Sequence, residues 1–269
     1  MEISALQAFI AVADSASFSR AAQQLFLTQP AVSKRIASLE RDLGATLFDR
    51  IGRRVDLTET GRALLPRARR ILEAVEDSRR TLSNLSGRVE GPRRFGTSHH
   101  IGLHRLPPVL RAYSARYSAV RLDIRFLDSE AACQAVERGE MELGVVTLPL
   151  RTPQDLRTTP IWHDPMAVVA ARNHPLAGRP GLEPGDLAPY PAVLPARGTY
   201  TREIAEAAFE QFGVEPAVSL STNYLETIKM LVSVGLGWSV LPVSMVDDDI
   251  AVLSVTALQP VRTLGIVEH

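Results

Sequence analysis

Residues 17–36 read SFSRAAQQLFLTQPAVSKRI, and this stretch decides how the first part of the chain folds. It holds two short helical patterns, residues 19–25 and residues 28–36, with a two-residue turn between them. Ser19 and Thr28 are residue types that cap helix N-termini well, and Pro30 stands in a first turn, where its missing N–H does no harm. The spacing predicts a helix-turn-helix.

The second of these helices has an apolar stripe at spacings of four, three and four, formed by Val32, Ile36, Leu39 and Leu43. Gly44 then ends the helix. If the stripe faces the core, small or polar side chains face outward, namely Pro30, Lys34, Ala37 and Ser38, with Ser33 on the flank. Such a face suits a helix that enters a DNA groove.

Charge is unevenly distributed along the chain, although its formal net charge is zero. Between residues 20 and 70 the sequence has eleven cations and five anions, a local excess of six positive charges. A basic patch of this kind is the electrostatic footprint of phosphate binding. The remainder is acidic by the same amount, which fits a separate domain that does not touch DNA.

A basic hairpin candidate, residues 48–55 (FDRIGRRV), follows the two helices and completes the pattern of a winged helix-turn-helix. Gln29 and Ser33 are expected to reach base edges, Lys34 a guanine or a phosphate, and Pro30 a thymine methyl group. Arg53 and Arg54 at the wing tip are expected in the minor groove or on its phosphates. Contacts to the DNA backbone are predicted for Arg20, Thr28, Arg35 and Arg50.

A long helix is predicted to start at Thr58. An apolar seam runs along it at alternating spacings of four and three, interrupted only by Ser78: Leu64, Ala68, Ile71, Val75, Leu82 and Leu85. The seam favours a dimerisation helix, because the first domain has little else to cover it. The alternative is a surface helix that packs on its own domain.

Beyond a hinge at residues 87–92 (GRVEGP), strands and helices alternate, which predicts an α/β domain with largely parallel sheets. At 269 residues, two or more domains are expected. The apolar runs are far short of a membrane span, and no signal peptide precedes them, so a cytoplasmic protein is expected. Neither a catalytic motif nor a phosphate-binding glycine loop is present, so no enzyme activity and no cofactor are predicted.

The arrangement resembles the LysR-type transcriptional regulators over nearly the whole chain. Matching blocks in the first part include FSRAA at 18–22, QPAVS at 29–33, LERDLG at 39–44 and LTETG at 57–61. Weaker blocks follow, such as LPPVL at 106–110, GEMEL at 139–143 and VSVGLG at 232–237. The resemblance implies a winged helix-turn-helix (residues 1–58), a linker or dimerisation helix with a hinge (59–91) and an effector-binding domain (92–269).

The family resemblance further implies two lobes like those of periplasmic binding proteins, with a small-molecule effector between them. The first lobe is expected at about 93–161 plus 261–269, and the second at about 162–260. Family members usually carry another helix after the last strand of the first lobe, so either this chain is truncated or the lobe is completed differently. A homodimer or homotetramer on a pseudo-palindromic promoter is implied, with RNA polymerase as a candidate partner.

Polar residues at strand ends are the candidates for the effector site, which is expected to take a small anion. The first group, 97–100, precedes a helix whose N–H groups favour negative charge. The full set is Thr97, Ser98, His99, His100, Ser129, Thr147, Arg197, Thr199 and Thr201, with Asn223 and Tyr224 as weaker candidates. Ser129 and Thr201 are equally suited to be simple helix caps.

Metal and redox sites are not predicted. His100 and His104 share a helical face, but no nearby acidic residue or cysteine completes a ligand set. Cys133 lies in an apolar helical stretch without a resolving partner, which favours a core residue over a redox sensor. The alternatives to a regulator are a small-molecule binding protein whose α/β lobes carry the function, and a metabolic enzyme with a fused DNA-binding head.

Overall fold

The computed structural model describes residues 1–51, 54–85 and 89–269, which form two compact units. The first unit comprises Met1–Pro92 with Ala119–Arg121 and Glu137–Glu142. The second comprises Arg93–Ser118, Leu122–Val136 and Leu143–His269. Each unit has an apolar core of its own. No helix in the described ranges is both long and apolar enough to cross a bilayer.

The first unit contains three short helices, a hairpin and a long helix. These are α1 (Ile3–Ser15), α2 (Phe18–Gln24), α3 (Gln29–Leu43), β1 (Phe48–Ile51), β2 (Arg54–Leu57) and α4 (Glu59–Leu85). Strands β1 and β2 pair antiparallel from Phe48 opposite Leu57 to Ile51 opposite Arg54. Helices α2 and α3 form the predicted helix-turn-helix, and the hairpin is its wing.

Helix boundaries agree with the predicted capping at two positions and correct it at one. The Thr28 hydroxyl accepts a hydrogen bond from the Ala31 N–H at 3.4 Å, and Gly44 ends α3 with φ at +65°. Ser17, not Ser19, caps α2, because its hydroxyl accepts from the Arg20 N–H at 3.3 Å. The prediction for Ser19 is therefore wrong; its side chain is exposed in the first turn of α2.

The core of the first unit forms where α3 packs on α1 and α2. Val32, Ile36 and Leu39 are buried against Leu6 and Phe9 of α1. The fourth residue of the predicted stripe, Leu43, is exposed. It is the last residue of α3, and the helix there extends beyond the core.

Helix α4 begins on the core of its own unit. Ala68 is fully buried there, and Leu64 and Ile71 pack against the same cluster. The premise that the first domain leaves the seam uncovered is wrong for these three residues, because α1 lies against this part of α4. Val75 is half-buried, and the side chains of Leu82 and Leu85 lie outside the described residues.

Gly61, in the first turn of α4, shows how closely this helix approaches the start of the wing. A Cβ atom at this position would lie 2.2 Å from the Leu47 carbonyl oxygen and 2.9 Å from Leu57 Cδ2. Only glycine leaves room for that carbonyl.

We expect Gly61→Ala to destabilise the first unit by about 1–3 kcal/mol, the usual cost of overpacking, although alanine favours a helix. Thermal denaturation followed by circular dichroism measures the effect. Gly185→Ala is the control, since a Cβ there meets nothing within 4 Å. An unchanged midpoint for Gly61→Ala would contradict the expectation.

The second unit contains the remaining elements of the chain. Its helices are α5 (His99–His104), α6 (Leu106–Arg116), α7 (Ser129–Glu137), α8 (Tyr200–Glu210) and α9 (Leu225–Ser233). Its strands are β3 (Gly91–Thr97), β4 (Val120–Phe126), β5 (Leu143–Thr147), β6 (Arg157–Ala171), β7 (Ala192–Leu194), β8 (Val218–Ser221), β9 (Ser239–Pro242), β10 (Ile250–Val252) and β11 (Val261–Glu268).

Strand β6 divides this unit into two lobes. Its residues 157–165 pair with β11, which also pairs with β5, and together with β3 and β4 they form the sheet of the first lobe. Its residues 166–171 pair with β9 and β10 in the second lobe, which also contains β7, β8, α8 and α9.

The sheets are mixed, so the prediction of largely parallel sheets is wrong. Strand β3 is parallel to β5 and β7 is parallel to β8, whereas β11 is antiparallel to both β5 and β6. The physical reason is the crossover between lobes: β6 leaves the first lobe and β11 returns beside it in the opposite direction.

Candidate functional site

The outer face of the helix-turn-helix presents the residues that the sequence assigned to DNA. On the opposite side, Val32, Ile36 and Leu39 hold α3 to the core. Ser33 and Arg35 are half-buried at the flanks. The exposed members of the set are Arg20, Thr28, Gln29, Pro30 and Lys34.

The N-terminus of α3 adds its own contribution to this face. The Thr28 side chain bonds the Ala31 N–H, so it sets the start of the helix, while Gln29 extends from the first turn into solvent. Unpaired N–H groups and the helix dipole make such an end favourable for a phosphate.

Phe26 is a residue that sequence reasoning missed. It lies in the turn between α2 and α3 with φ at +54°, and its side chain is 96% exposed. The sequence feature that could have pointed to Phe26 is an aromatic residue in the turn between two helices whose other apolar residues face the core. It lies two residues before Thr28, the cap of α3.

The hairpin contains the other residues that the sequence assigned to DNA. Arg50 belongs to β1 and Arg54 to β2, which pair in the hairpin. Arg53, and the side chains of Arg50 and Arg54, lie outside the described residues.

Three hydroxyl-bearing residues of the first lobe are buried and take part in hydrogen bonds within the lobe, namely Thr97, Ser129 and Thr147. The Thr97 hydroxyl donates to the Val145 carbonyl at 2.9 Å, and the Thr147 N–H donates to the Ser129 hydroxyl at 3.0 Å. These bonds hold β3, β5 and α7 together. Ser129 is therefore not a helix cap, and neighbouring elements use its hydroxyl and that of Thr97.

Ser98 and His99 lie at the same end of the sheet and are more accessible. Ser98 precedes α5, and its half-buried side chain makes no cap hydrogen bond. The His99 ring lies 5.3 Å from the Phe126 ring of the first lobe and 4.7 Å from the Tyr224 ring of the second. His99 is thus placed between the lobes.

In the second lobe, Thr199 caps α8, because its hydroxyl accepts from the Arg202 N–H at 3.3 Å and donates to the Ala196 carbonyl at 2.8 Å. The Thr201 hydroxyl instead accepts from Arg262 at 3.2 Å. Arg197 is exposed and lines a groove of about 530 Å³ together with Glu215 and other residues of the second lobe.

Direct hydrogen bonds join the lobes beside His99. The Asn223 side-chain amide donates to the Asp128 carboxylate at 2.7 Å, and its oxygen accepts from the Ala196 N–H at 3.0 Å. The Tyr200 N–H donates to Glu130. Burial raises the pKa of the Glu130 carboxyl. Asn223 therefore links a cleft loop of the second lobe to the first.

His100 differs from its neighbour His99 in being buried. Its Nδ1 lies 3.4 Å from Glu226 Oε1, and His104 Nε2 lies 3.1 Å from the same oxygen. Burial, followed by the charges of Arg262 and His104, lowers the pKa of His100 to about 4, so its imidazole is neutral at pH 7. The premise that no acidic residue completes this pair is wrong, because Glu226 comes from α9, distant in sequence.

A buried charge network lies where the two crossing strands pair. Asp164 and Arg262 face each other across β6 and β11, and both are almost fully buried. Arg262 Nε donates to Asp164 at 3.0 Å, and Arg105 donates to its other oxygen at 2.9 Å. Burial lowers the pKa of Arg262, which the Asp164 carboxylate opposes.

Cys133 is buried in α7, as predicted for a core residue. It forms a hydrogen bond with Tyr200, and the pKa of the Tyr200 phenol is raised, chiefly by burial.

Two family models match this chain. Residues 3–62 match the bacterial regulatory helix-turn-helix protein of the lysR family, and residues 86–267 match the LysR substrate binding domain.

The relatives that match this chain are transcriptional regulators. An uncharacterized HTH-type transcriptional regulator of Azotobacter vinelandii is 65% identical over 108 residues, which is 40% of this chain and 75% of that protein. The regulator SsuR of Burkholderia cenocepacia is 31% identical over 96% of this chain and 80% of its own length. Full-length OxyR of Pseudomonas aeruginosa is similar in fold, with a TM-score of 0.78 at 24% identity, over 100% of this chain and 89% of that one.

The predicted helix-turn-helix and the two-lobed α/β domain are thus confirmed by the structure and by the matched families. The longer match covers more than half of the chain. This chain belongs to the LysR family of DNA-binding transcriptional regulators, with a helix-turn-helix head and an effector-binding domain.

Proposed function

We propose that this regulator reads a pseudo-palindromic promoter site as a homo-oligomer and responds to a small anion bound between its lobes. The observation that carries the DNA part is the outward face of α3, where Gln29, Pro30 and Lys34 are exposed on the side opposite the buried Val32, Ile36 and Leu39. Base edges are read by Gln29, Ser33 and Lys34, with Pro30 against a thymine methyl group. Arg53 and Arg54 reach the minor groove or its phosphates, and Arg20, Thr28, Arg35 and Arg50 contact the DNA backbone.

A dimer brings two such heads to two half-sites. We propose that the dimer contact uses the part of α4 beyond Ile71, including Val75, Leu82 and Leu85, because the earlier residues of the seam pack on their own unit. A homotetramer is a dimer of these dimers, and RNA polymerase is a further partner of the DNA-bound assembly.

The anion is proposed to bind where β3 ends, against Ser98 and His99. What supports this site is an accessible hydroxyl and an imidazole beside the first N–H groups of α5. Thr97, Ser129, Thr147, Thr199 and Thr201 support the cleft walls through the bonds described above. Arg197 lines the groove of the second lobe. His100 is not assigned to the anion site, because its neighbour, the Glu226 carboxylate, would repel an anion.

Effector binding is proposed to act through the contacts between the lobes. His99 touches rings of both lobes, and Asn223 joins them by hydrogen bonds nearby. An anion bound at His99 would favour the lobe arrangement to which it binds more tightly. The size of the shift equals the difference between its binding free energies for the two arrangements. That difference alters the spacing of the DNA-binding heads in an oligomer.

A thermal-shift screen of small metabolic anions tests the effector site. A bound anion at a hundredfold its Kd stabilises the chain by about 2.7 kcal/mol. We expect His99→Ala and Ser98→Ala each to reduce or abolish the shift, whereas His163→Ala, which removes an exposed imidazole elsewhere, leaves it unchanged. If anions stabilise the chain and neither cleft substitution weakens them, the assigned site is wrong.

A further inference from the structure

A cluster of two imidazoles and one carboxylate lies between the lobes, next to the proposed anion site. His100 and His104 occupy one face of α5 in the first lobe, and Glu226 lies in the first turn of α9 in the second. One ligand atom from each of the three side chains lies within 4.8 Å of the other two. The cluster is therefore compact and contains three potential metal ligands.

The two separations from Glu226 are close to those of a tetrahedral metal site, and the two histidine nitrogens lie within 4.8 Å of each other. A zinc ion binds imidazole nitrogen and carboxylate oxygen at about 2.0–2.2 Å, which places two ligand atoms roughly 3.3–3.6 Å apart. Glu226 Oε1 lies 3.1 Å from His104 Nε2 and 3.4 Å from His100 Nδ1. Only small side-chain movements would bring all three atoms onto one ion.

Hydrogen bonding within the cluster leaves one polar atom unexplained. The Nε2 atom of His100 is buried and has no hydrogen-bond partner among the described residues. The nitrogen that faces Glu226 is Nδ1, so an ion in the cluster would bind Nδ1 and leave the ring proton on Nε2. The buried Nε2 is therefore no ligand, and the case for a metal site depends on the geometry of the three ligand atoms.

The chemistry of this donor set selects the class of ion. Two imidazoles and one carboxylate suit zinc and neighbouring divalent transition metals, whereas magnesium and calcium prefer oxygen ligands throughout. His104 is 47% exposed, so an ion can reach the cluster from solvent. Three protein ligands leave a fourth position for water or another group.

We propose that His100, His104 and Glu226 bind a divalent transition-metal ion of the zinc class, which links the two lobes of the effector-binding domain. The ion joins α5 to α9, so it favours the lobe arrangement in which these helices are close. His99 adjoins His100 in sequence, so metal binding and anion binding influence the same lobe contacts. The proposal does not depend on the anion site.

The test is metal titration of the full chain, freed of metal by a chelator and carrying no histidine tag. Isothermal titration with zinc chloride is expected to give one saturable site per chain. Cobalt(II) is the spectroscopic probe, and its visible absorption is expected to report a tetrahedral site. Zinc is expected to raise the midpoint of thermal unfolding.

Two substitutions separate ligation from hydrogen bonding. Glu226→Gln keeps the size and hydrogen-bonding capacity of the side chain but removes the anionic ligand, and His104→Gln removes an exposed imidazole. Loss of a partner outside the ligand shell already costs 10–100-fold in affinity, so each change is expected to weaken zinc binding by about a hundredfold. His163→Ala, the matched control, is expected to bind zinc like the wild type.

Each outcome decides the proposal. Absence of saturable zinc binding by the wild type would overturn it, as would unchanged affinity in both Glu226→Gln and His104→Gln. Circular dichroism verifies that the variants fold. The change in unfolding midpoint on adding anions, measured without metal, tests the proposed effector site separately from the metal site.

Discussion

Asp164→Asn is expected to lower the free energy of unfolding of the second unit by about 3–5 kcal/mol, because it leaves a buried arginine without its counter-charge. Arg262 is buried, and Asp164 accepts hydrogen bonds from it and from Arg105. The amide keeps the size of the carboxylate but carries no negative charge. The effect is large because the guanidinium cannot recover its hydration without opening the β6–β11 crossover.

Denaturant unfolding followed by tryptophan fluorescence measures this loss, since both tryptophans, Trp162 and Trp238, lie in the second unit. The control is Asp248→Asn, which breaks an exposed pair with Arg172 and should cost no more than about 1 kcal/mol. If the two variants lose equal stability, the buried network does not have the importance assigned to it.

The affinity for promoter DNA is expected to fall about a thousandfold between 50 and 200 mM salt, since phosphate contacts release bound counterions. In the proposed interface each head places Arg20, Arg35 and Arg50 on the DNA backbone, so the proposed dimer would make about six such contacts, the lower end of the range for which this fall is typical. Fluorescence anisotropy with a labelled promoter fragment at several salt concentrations measures the slope.

Substitutions then divide the roles of the DNA face. Arg20→Ala is expected to weaken binding to all duplexes alike and to reduce the salt slope by about 2, one contact for each head. Gln29→Ala is expected to reduce the preference for the promoter over unrelated DNA while the slope stays the same. Arg179→Ala, an exposed arginine of the second unit, is the control and should change neither. A flat salt response of the wild type would contradict the assigned interface.

The helix-turn-helix was predictable because its information is local. Thr28, Pro30 and Gly44 set the limits of α3 by their own backbone chemistry, and a period of 3.6 residues set which side is buried. Two errors at this level, Ser19 and Leu43, lie at helix ends, where neighbouring geometry decides between adjacent residues. Ser17 takes the cap because its extended backbone lets its hydroxyl reach the Arg20 N–H.

The seam of α4 shows where a periodic pattern stops being informative. Its spacing is the same whether the helix packs on its own unit or on a second chain. The position of α1 decides this for Leu64, Ala68 and Ile71, and no spacing within α4 contains that position.

The DNA-binding head, the two-lobed class of the second unit and the strand-end positions of the cleft residues were predictable from the sequence, since each follows from local pattern or from matched blocks. Tertiary structure alone decided that Glu226 meets His100 and His104, and that Asp164 meets Arg262. These partners are separated by about a hundred residues or more along the chain. Their proximity follows from the pairing of β6 with β11 and from the side-chain contacts between α5 and α9, which depend on the whole fold and not on any single segment.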